Sequence, residues 1–229
     1  MKAVVFDLDN TLAGIGEGMI QKDLLLLRKL EESGRAIAVC SGKTTDYLCG
    51  FVRQTGLKHP VLLGENGAVI QIGTKLPPKQ FYRLPYSERA AESIALLRKE
   101  LDRILPHLWY QPNLAGLTPF PAKPEDFDTI AKCLEDNKER TEDILIYLHE
   151  DSFDIVPAGI DKGQGLKYMG EVLDIPPENI TAVGDGVNDY PMFRYAGFSI
   201  GIGVKEPDKV DINLSTLTEA LEYLLSGKA

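Results

Sequence analysis

FDLDNT, Phe6–Thr11, closes a short apolar run that begins at Ala3 and sets two carboxylates, Asp7 and Asp9, two positions apart. Alone, it also fits a buried strand that ends in an Asp/Asn turn, because both side chains satisfy turn backbone. Its weight comes from repetition: an apolar run followed at once by polar groups returns along the chain. AIAVC (Ala36–Cys40) is followed by Ser41, Gly42 and Lys43, and PVLLG (Pro60–Gly64) by Glu65, Asn66 and Gly67. Ala182 and Val183 run into GDGVND, Gly184–Asp189.

Between these runs lie segments with helical character. QKDLLLLRKLEESG stops at Gly34, a natural residue just past a helix end. In SGKTTDYLCGFVRQTG, Tyr47, Leu48, Phe51 and Val52 recur at helical spacing. NDYPMFRYAG separates the apolar runs NITAVGD and AGFSIGIG and is long enough for a short helix. Such alternation predicts an α/β fold: a Rossmann-like, doubly wound parallel sheet with helices on both faces.

The middle of the chain follows another pattern, helix-strand-strand twice over. Ser87 is the expected N-cap of a helix with Ala90, Ile94, Leu97 and Leu101 on one face, ended by Pro106. A second helix follows Pro124, with Phe127, Ile130, Ala131 and Leu134 as its stripe, and DILIYLHEDSFDIVP reads as a hairpin around Glu150, Asp151 and Ser152. Stiff, turn-prone segments flank this block, Leu76–Pro78 on one side and Val156–Gly159 on the other. The expected organisation is a core domain of residues 1–78 and 158–229 carrying an inserted α+β domain, 79–157.

Composition narrows the partners. A formal charge of -9 argues against broad binding of nucleic acid or an anionic membrane, since both need basic surface. Cys40, Cys49 and Cys133 are odd in number and show no CxxC spacing, which fits reduced, buried thiols in the cytoplasm. The apolar start before Asp7 is too short for a signal-peptide core, and no later run reaches bilayer length. His59, His107 and His149 are scattered and are expected to be surface or packing residues.

In an open parallel sheet, ligands bind beyond the carboxyl ends of the strands. The polar groups after each run therefore converge on one edge. Asp7, Asp9, Asp185 and Asp189 repel one another there, each like-charged pair by roughly 4 kcal/mol at about 4 Å and an effective dielectric near 20. A hard divalent cation relieves that repulsion, and an all-oxygen donor set without a His/Cys cluster favours Mg²⁺ over zinc. DKGQGL, Asp161–Leu166, sits where the chain returns from the insert, which makes Lys162 the candidate pocket cation. A divalent ion, one Lys, the Ser41 hydroxyl and loop N–H groups around a carboxylate form a site for a phosphate dianion. Such a site lets an acidic protein bind an anionic substrate.

FDLDNT, SGK, DKGQGL and GDGVND, in this order and on these elements, resemble the four signature motifs of the haloacid-dehalogenase-like superfamily of phosphohydrolases. The insert resembles the smaller form of the class II cap, GENGA resembles that class's Asn-Gly-Ala signature, and the likeness is greatest to archaeal-type phosphoglycolate phosphatases and sucrose-phosphatase-like enzymes. The resemblance implies two-step phosphoryl transfer, with Asp7 as nucleophile and Asp9 moving the proton. It implies Mg²⁺ held by the side chains of Asp7 and Asp185 and the backbone carbonyl of Asp9, with Asp189 and Thr11 behind them. Ser41, Gly42, Lys43, Asn66 and Asn188 are the implied contacts to phosphate or substrate, although Lys43 departs from the Arg of many class II relatives. The cap is expected to choose the leaving group of a small phosphorylated metabolite, phosphoglycolate or a sugar phosphate, with Trp109, Lys123, Tyr147 and His149 as candidate contacts. Two alternatives stand beside hydrolysis: a phosphomutase using the same aspartyl-phosphate, and a receiver-like phospho-acceptor domain.

Overall fold

The computed structural model describes residues 2–149 and 151–227. Contacts divide the chain into two units, Met1–Leu84 with Asp161–Ala229, and Pro85–Ile160. The first unit begins with β1 (Ala3–Phe6), α1 (Gln21–Glu32), β2 (Ala36–Cys40), α2 (Thr45–Thr55) and β3 (Val61–Gly64). α1 buries Leu27 and Leu30 and gives way to Gly34 at a φ of +90°, a conformation that costs an L side chain dearly. α2 starts where the Thr44 hydroxyl accepts the Tyr47 N–H, at 3.4 Å, and buries Leu48 and Val52.

β4 (Val69–Ile72) and β5 (Gln80–Arg83) extend the same sheet but run antiparallel to their neighbours. The expected parallel sheet thus carries an antiparallel edge: only residues 65–68 separate β3 from β4, too few for a crossover, so a hairpin is the available connection. β5 lies in the stretch expected to open the insert, yet it pairs with β4, and Leu84 N–H donates to Ala68 O at 2.9 Å. The contact boundary therefore falls after Leu84 and not at Lys79.

The second unit comprises α3 (Glu88–Ile104), β6 (Trp109–Gln111), β7 (Thr118–Phe120), α4 (Pro124–Asp136), β8 (Ile144–Leu148) and β9 (Phe153–Pro157). Ser87 accepts the Ala90 N–H at 3.1 Å and so starts α3, which buries Ala90, Leu97 and Leu101. α4 buries Ile130, Cys133 and Leu134 while Ala131 is exposed, because a 3.6-residue period carries the inner face from 130 to 133 and 134. β6–β7 and β8–β9 are antiparallel hairpins, and Leu117 and Ile155 exchange two 2.9 Å backbone hydrogen bonds that join them. Leu97, Leu101, Leu117, Ile130, Phe153 and Ile155 form the core of this unit. Glu150, in the expected hairpin turn, lies outside the described residues.

The chain returns through α5 (Lys162–Leu173), β10 (Ile180–Gly184), α6 (Tyr190–Tyr195), β11 (Phe198–Ile202), β12 (Ile212–Leu214) and α7 (Leu217–Leu225). The eight strands of the large sheet run in the order β12-β11-β10-β1-β2-β3-β4-β5. From β12 to β3 every pairing is parallel. The first three strands build outward on one side of β1 and the returning strands on the other, so the direction of winding reverses between β1 and β10. That reversal opens a crevice at the carboxyl ends of these two strands. Among the described residues no helix is long and apolar enough to cross a membrane.

Candidate active site

Asp7 leaves β1 with its N–H still bonded to Val183 O at 2.8 Å, so the ladder between β1 and β10 carries it directly to the reversal point. Leu8, the next residue, is buried in the core cluster. Its carbonyl then accepts the N–H groups of Thr11, Leu12 and Ala13, and Asn10 adopts a φ of 62°. This turn brings Thr11 back over the sheet edge, where its hydroxyl donates to Asp185 Oδ1 at 2.8 Å. Asp9 sits half-buried in the turn, outside the cluster formed by Asp7, Asp185 and Asp189.

Lys162 is the first residue of α5 and only 1% exposed. Its ammonium donates to Asp7 Oδ1 and to Asp189 Oδ1, each at 2.5 Å. Asp189 is fully buried, and its other oxygen accepts the N–H groups of Asp185 and Gly186, both at 3.0 Å. Asp189 thus ties the ammonium to the loop that carries Asp185. Gly184 makes room for it: a Cβ there would lie 2.4 Å from Asp189 Oδ2.

A second close approach seats α5. A Cβ on Gly67 would stand 2.5 Å from Gly165 Cα, and one on Gly165 equally close to Gly67 Cα. The Gly pair lets the loop after β3 lie against the first turn of α5, whose first residue is Lys162. Gly165→Ala should therefore cost about 2–3 kcal/mol by overpacking and push Lys162 off its partners. Chemical denaturation beside a phosphate-release assay checks both effects.

Asp7, Asp185 and Asp189 each place an oxygen within 4.8 Å of the other two. Burial pushes the Asp7 carboxyl up to about 7, outweighing the pull of Lys162, and Asp189 and Asp185 push in the same direction. Burial likewise raises Asp185, against the hydrogen bond from Thr11. Lys162 would be lowered by burial, but Asp189 and Asp7 together hold it above its ordinary value. Three acids thus share one ammonium. The donor set is all oxygen; Lys162 engages Asp7 and Thr11 engages Asp185 through one carboxylate oxygen, Oδ1, in each case, whereas both oxygens of Asp189 are taken. These groups fit a small hard cation held by Asp7 and Asp185, with Asp189 behind them.

The loops after β2 and β3 are stitched together beside this cluster. Ser41 N–H donates to Leu63 O and Ser41 O accepts the Asn66 N–H, both at 2.9 Å. Ser41 Oγ accepts the Lys43 N–H at 3.2 Å, and Lys43 O accepts the Glu65 N–H at 2.9 Å. Ser41 is buried, and Gly42, Lys43 and Asn66 are half-buried, with Asn66 at a φ of 57°. Asn188 is exposed, its side chain lying over Gly186. In the second unit Trp109, Lys123 and Tyr147 are exposed, and His149 lies 3.2 Å from Asp154. His107 pairs with Asp126 at 2.9 Å, and His59 is on the surface. Sequence reasoning missed Gly67, Gly165 and Gly184 as positioning residues; their place inside the polar runs was the available signal.

The fold and this cluster have counterparts among known proteins. A family model described as haloacid dehalogenase-like hydrolase matches residues 4–118 and 113–210. A phosphoglycolate phosphatase of Methanopyrus kandleri is 26% identical over 206 residues, covering 86% of this chain and 82% of its own. One of Methanospirillum hungatei is 26% identical over 219 residues, covering 93% and 88%. A haloacid dehalogenase-like hydrolase from Bacteroides thetaiotaomicron superposes with a TM-score of 0.77 at 20% identity, covering 97% of this chain and 99% of that one. The chain belongs to the haloacid dehalogenase-like hydrolase family, among its phosphatases.

Proposed function

We propose that the chain is a Mg²⁺-dependent phosphomonoester hydrolase that acts on a small phosphorylated metabolite through an aspartyl-phosphate on Asp7. The observation that supports this most is the buried Lys162 ammonium held between Asp7 and Asp189, with Asp185 alongside. A carboxylate attacking a phosphate dianion meets strong repulsion, and Lys162 offsets part of it. When bound, the cation supplies further charge neutralisation and polarises the phosphoryl oxygens. Asp7 forms its bond to phosphorus as the bond to the leaving oxygen breaks, and Asp9 gives that oxygen a proton. Water then attacks the aspartyl-phosphate, Asp9 takes back a proton, and inorganic phosphate leaves with Asp7 restored. The Ser41 hydroxyl holds a phosphate oxygen, with Gly42, Lys43, Asn66 and Asn188 as the further candidates.

The inserted unit acts as a cap that reads the leaving group. Phosphoglycolate, named for the curated relatives, and sugar phosphates are the substrates to compare. Buried, free cysteines and a net charge of -9 fit a cytoplasmic enzyme that does not bind nucleic acid. The hydrolase family match leaves no support for the receiver-like alternative. Phosphate release from simple monoesters without a bisphosphate activator would separate the hydrolase from the mutase.

A panel of small phosphomonoesters, assayed for released phosphate with Mg²⁺ and with excess chelator, tests the proposal. Activity should fall at least about 100-fold on chelation and return on adding Mg²⁺. Mg²⁺ should also raise the melting temperature, and more at pH 8 than at pH 5.5. The sign follows from Asp7: burial raises its carboxyl to about 7, so at pH 5.5 the metal-free native state holds that proton and the cation must displace it, whereas at pH 8 the proton is already gone. Turnover indifferent to chelation would sink the metal assignment.

A further inference from the structure

β8 is an outer strand of the second unit. Among the described residues its one strand neighbour is β9, and β9 is joined on its other side to Leu117, just before β7. The direction of the β8 backbone groups follows from that arrangement. Ile155 of β9 donates its N–H to Leu117 O and accepts the Leu117 N–H, each at 2.9 Å, so both of its groups point away from β8. Ile146 stands opposite Ile155. Their pair is therefore the non-hydrogen-bonded kind, and the N–H and C=O of Ile146 point outward, away from β9. Direction alternates along a strand, so Ile144 and Leu148 turn theirs outward too. His149 fits this parity, since its N–H points inward to Ser152 O at 2.9 Å.

The side chains match the backbone in lacking a neighbour. The five residues Ile144–Leu148, ILIYL, include no charge, proline or glycine, and Leu145, Ile146, Tyr147 and Leu148 are 43%, 45%, 41% and 65% exposed. A strand apolar on both faces is the pattern of one with neighbours on each side. Edge strands are ordinarily blunted by charge, proline or brevity. The other sheet edges follow that rule: β5 is preceded by Pro77, Pro78 and Lys79 and ends in Arg83, while β6 and β12 have three residues each. β8 has none of these devices.

We infer that β8 is an interface between two copies of this chain, paired antiparallel about a two-fold axis at Ile146. In that register Ile146 meets its own copy and Ile144 meets the partner's Leu148, each pair exchanging both backbone hydrogen bonds, so every outward group of β8 is satisfied. A shift of one residue would set outward groups against inward ones, and a shift of two would leave an end of the strand unmatched. Side chains meet their like as well: Ile146 packs on its copy, and Leu145 on the partner's Tyr147. At either end His149 comes opposite the partner's Asp143, which adds charge complementarity to the apolar centre. The two-fold operation closes the pairing, so no further copy can add to the edge.

Size-exclusion chromatography with light scattering tests this on the full chain, which should show twice the chain mass at micromolar concentration. Ile146→Lys sets two ammonium groups face to face on the axis and should raise the dissociation constant at least about 100-fold, with the circular dichroism spectrum unchanged. Ile146→Pro, which deletes only an outward N–H, should act in the same direction. The register has its own readout. Opposed Cα atoms in a hydrogen-bonded pair lie about 5.5 Å apart, so Ile146→Cys should cross-link two chains on oxidation with diamide, whereas Leu145→Cys, two positions out of line with its own copy, should not. The native cysteines are buried and should leave the unaltered chain uncross-linked. Should Ile146→Lys fail to fold, the two cysteine variants decide. A monomer at every concentration up to about 100 µM overturns the inference, and that is the result expected if an extended segment of another protein is the true occupant. A dimer that keeps its affinity in Ile146→Lys, or equal cross-linking from positions 145 and 146, overturns it as well.

Discussion

Asp7→Asn should release no phosphate from any monoester, with turnover down by about four orders of magnitude or more, which corresponds to at least about 5 kcal/mol of transition-state stabilisation. The substitution is nearly isosteric, and an amide oxygen still accepts from Lys162, so the loss cannot be laid to a missing side chain. What disappears is the carboxylate that must form the bond to phosphorus. The fold should hold or gain stability, because the interior then carries one buried acid fewer, and that acid is one whose carboxyl burial already raises to about 7. A melting temperature equal to or above that of the unaltered chain, alongside absent turnover, is the expected pair of results. Incubation with substrate followed by intact-mass measurement adds an independent readout: only a chain with Asp7 can carry a transient phosphoryl group there. Turnover within ten-fold of the unaltered enzyme would remove Asp7 from the mechanism.

Much of the molecule can be read from local pattern because its elements obey local rules. β1, β2, β3 and β10 are apolar runs with polar residues immediately behind them, and a parallel sheet forces those residues to one edge. Ser87 and Gly34 mark helix boundaries through chemistry that acts over a few residues. The contacts that escaped sequence reasoning depend on distance in space. Gln80–Arg83 carries little apolar alternation and becomes a strand only because β4 offers it an edge. Gly67 and Gly165 are nearly a hundred positions apart, and each reads as an ordinary turn or helix-start residue until the backbones are seen to touch. Gly184 reads as a loop residue, whereas its bare Cα is what admits the Asp189 carboxylate. At the candidate site, residue types point to the acids and the lysine. Which carboxylate meets the ammonium follows only from the turn after Leu8 and the position of α5.

Lys162→Met should unfold the first unit more readily than any other single change at the site. Methionine keeps most of the volume of the lysine stem, so the effect isolates the charge. With the ammonium gone, Asp7 and Asp189, 4% and 0% exposed, face each other with no cation between them. Removing one partner of a buried ion pair costs about 3–5 kcal/mol, far above the value of a surface pair. For a chain of this size that corresponds to a fall in melting temperature of roughly 10 °C, measured with chelator present. Turnover should drop as well, since the attacking carboxylate loses the charge that offsets repulsion by the phosphate dianion. The double variant Asp7→Asn with Lys162→Met separates this account from simple packing damage. If the destabilisation comes from uncompensated acid, removing one acid should return a large part of it, a coupling of 1 kcal/mol or more between the two positions. Additive losses would mean that Lys162 stabilises through its stem alone, and the buried ammonium would then have no special claim on the site.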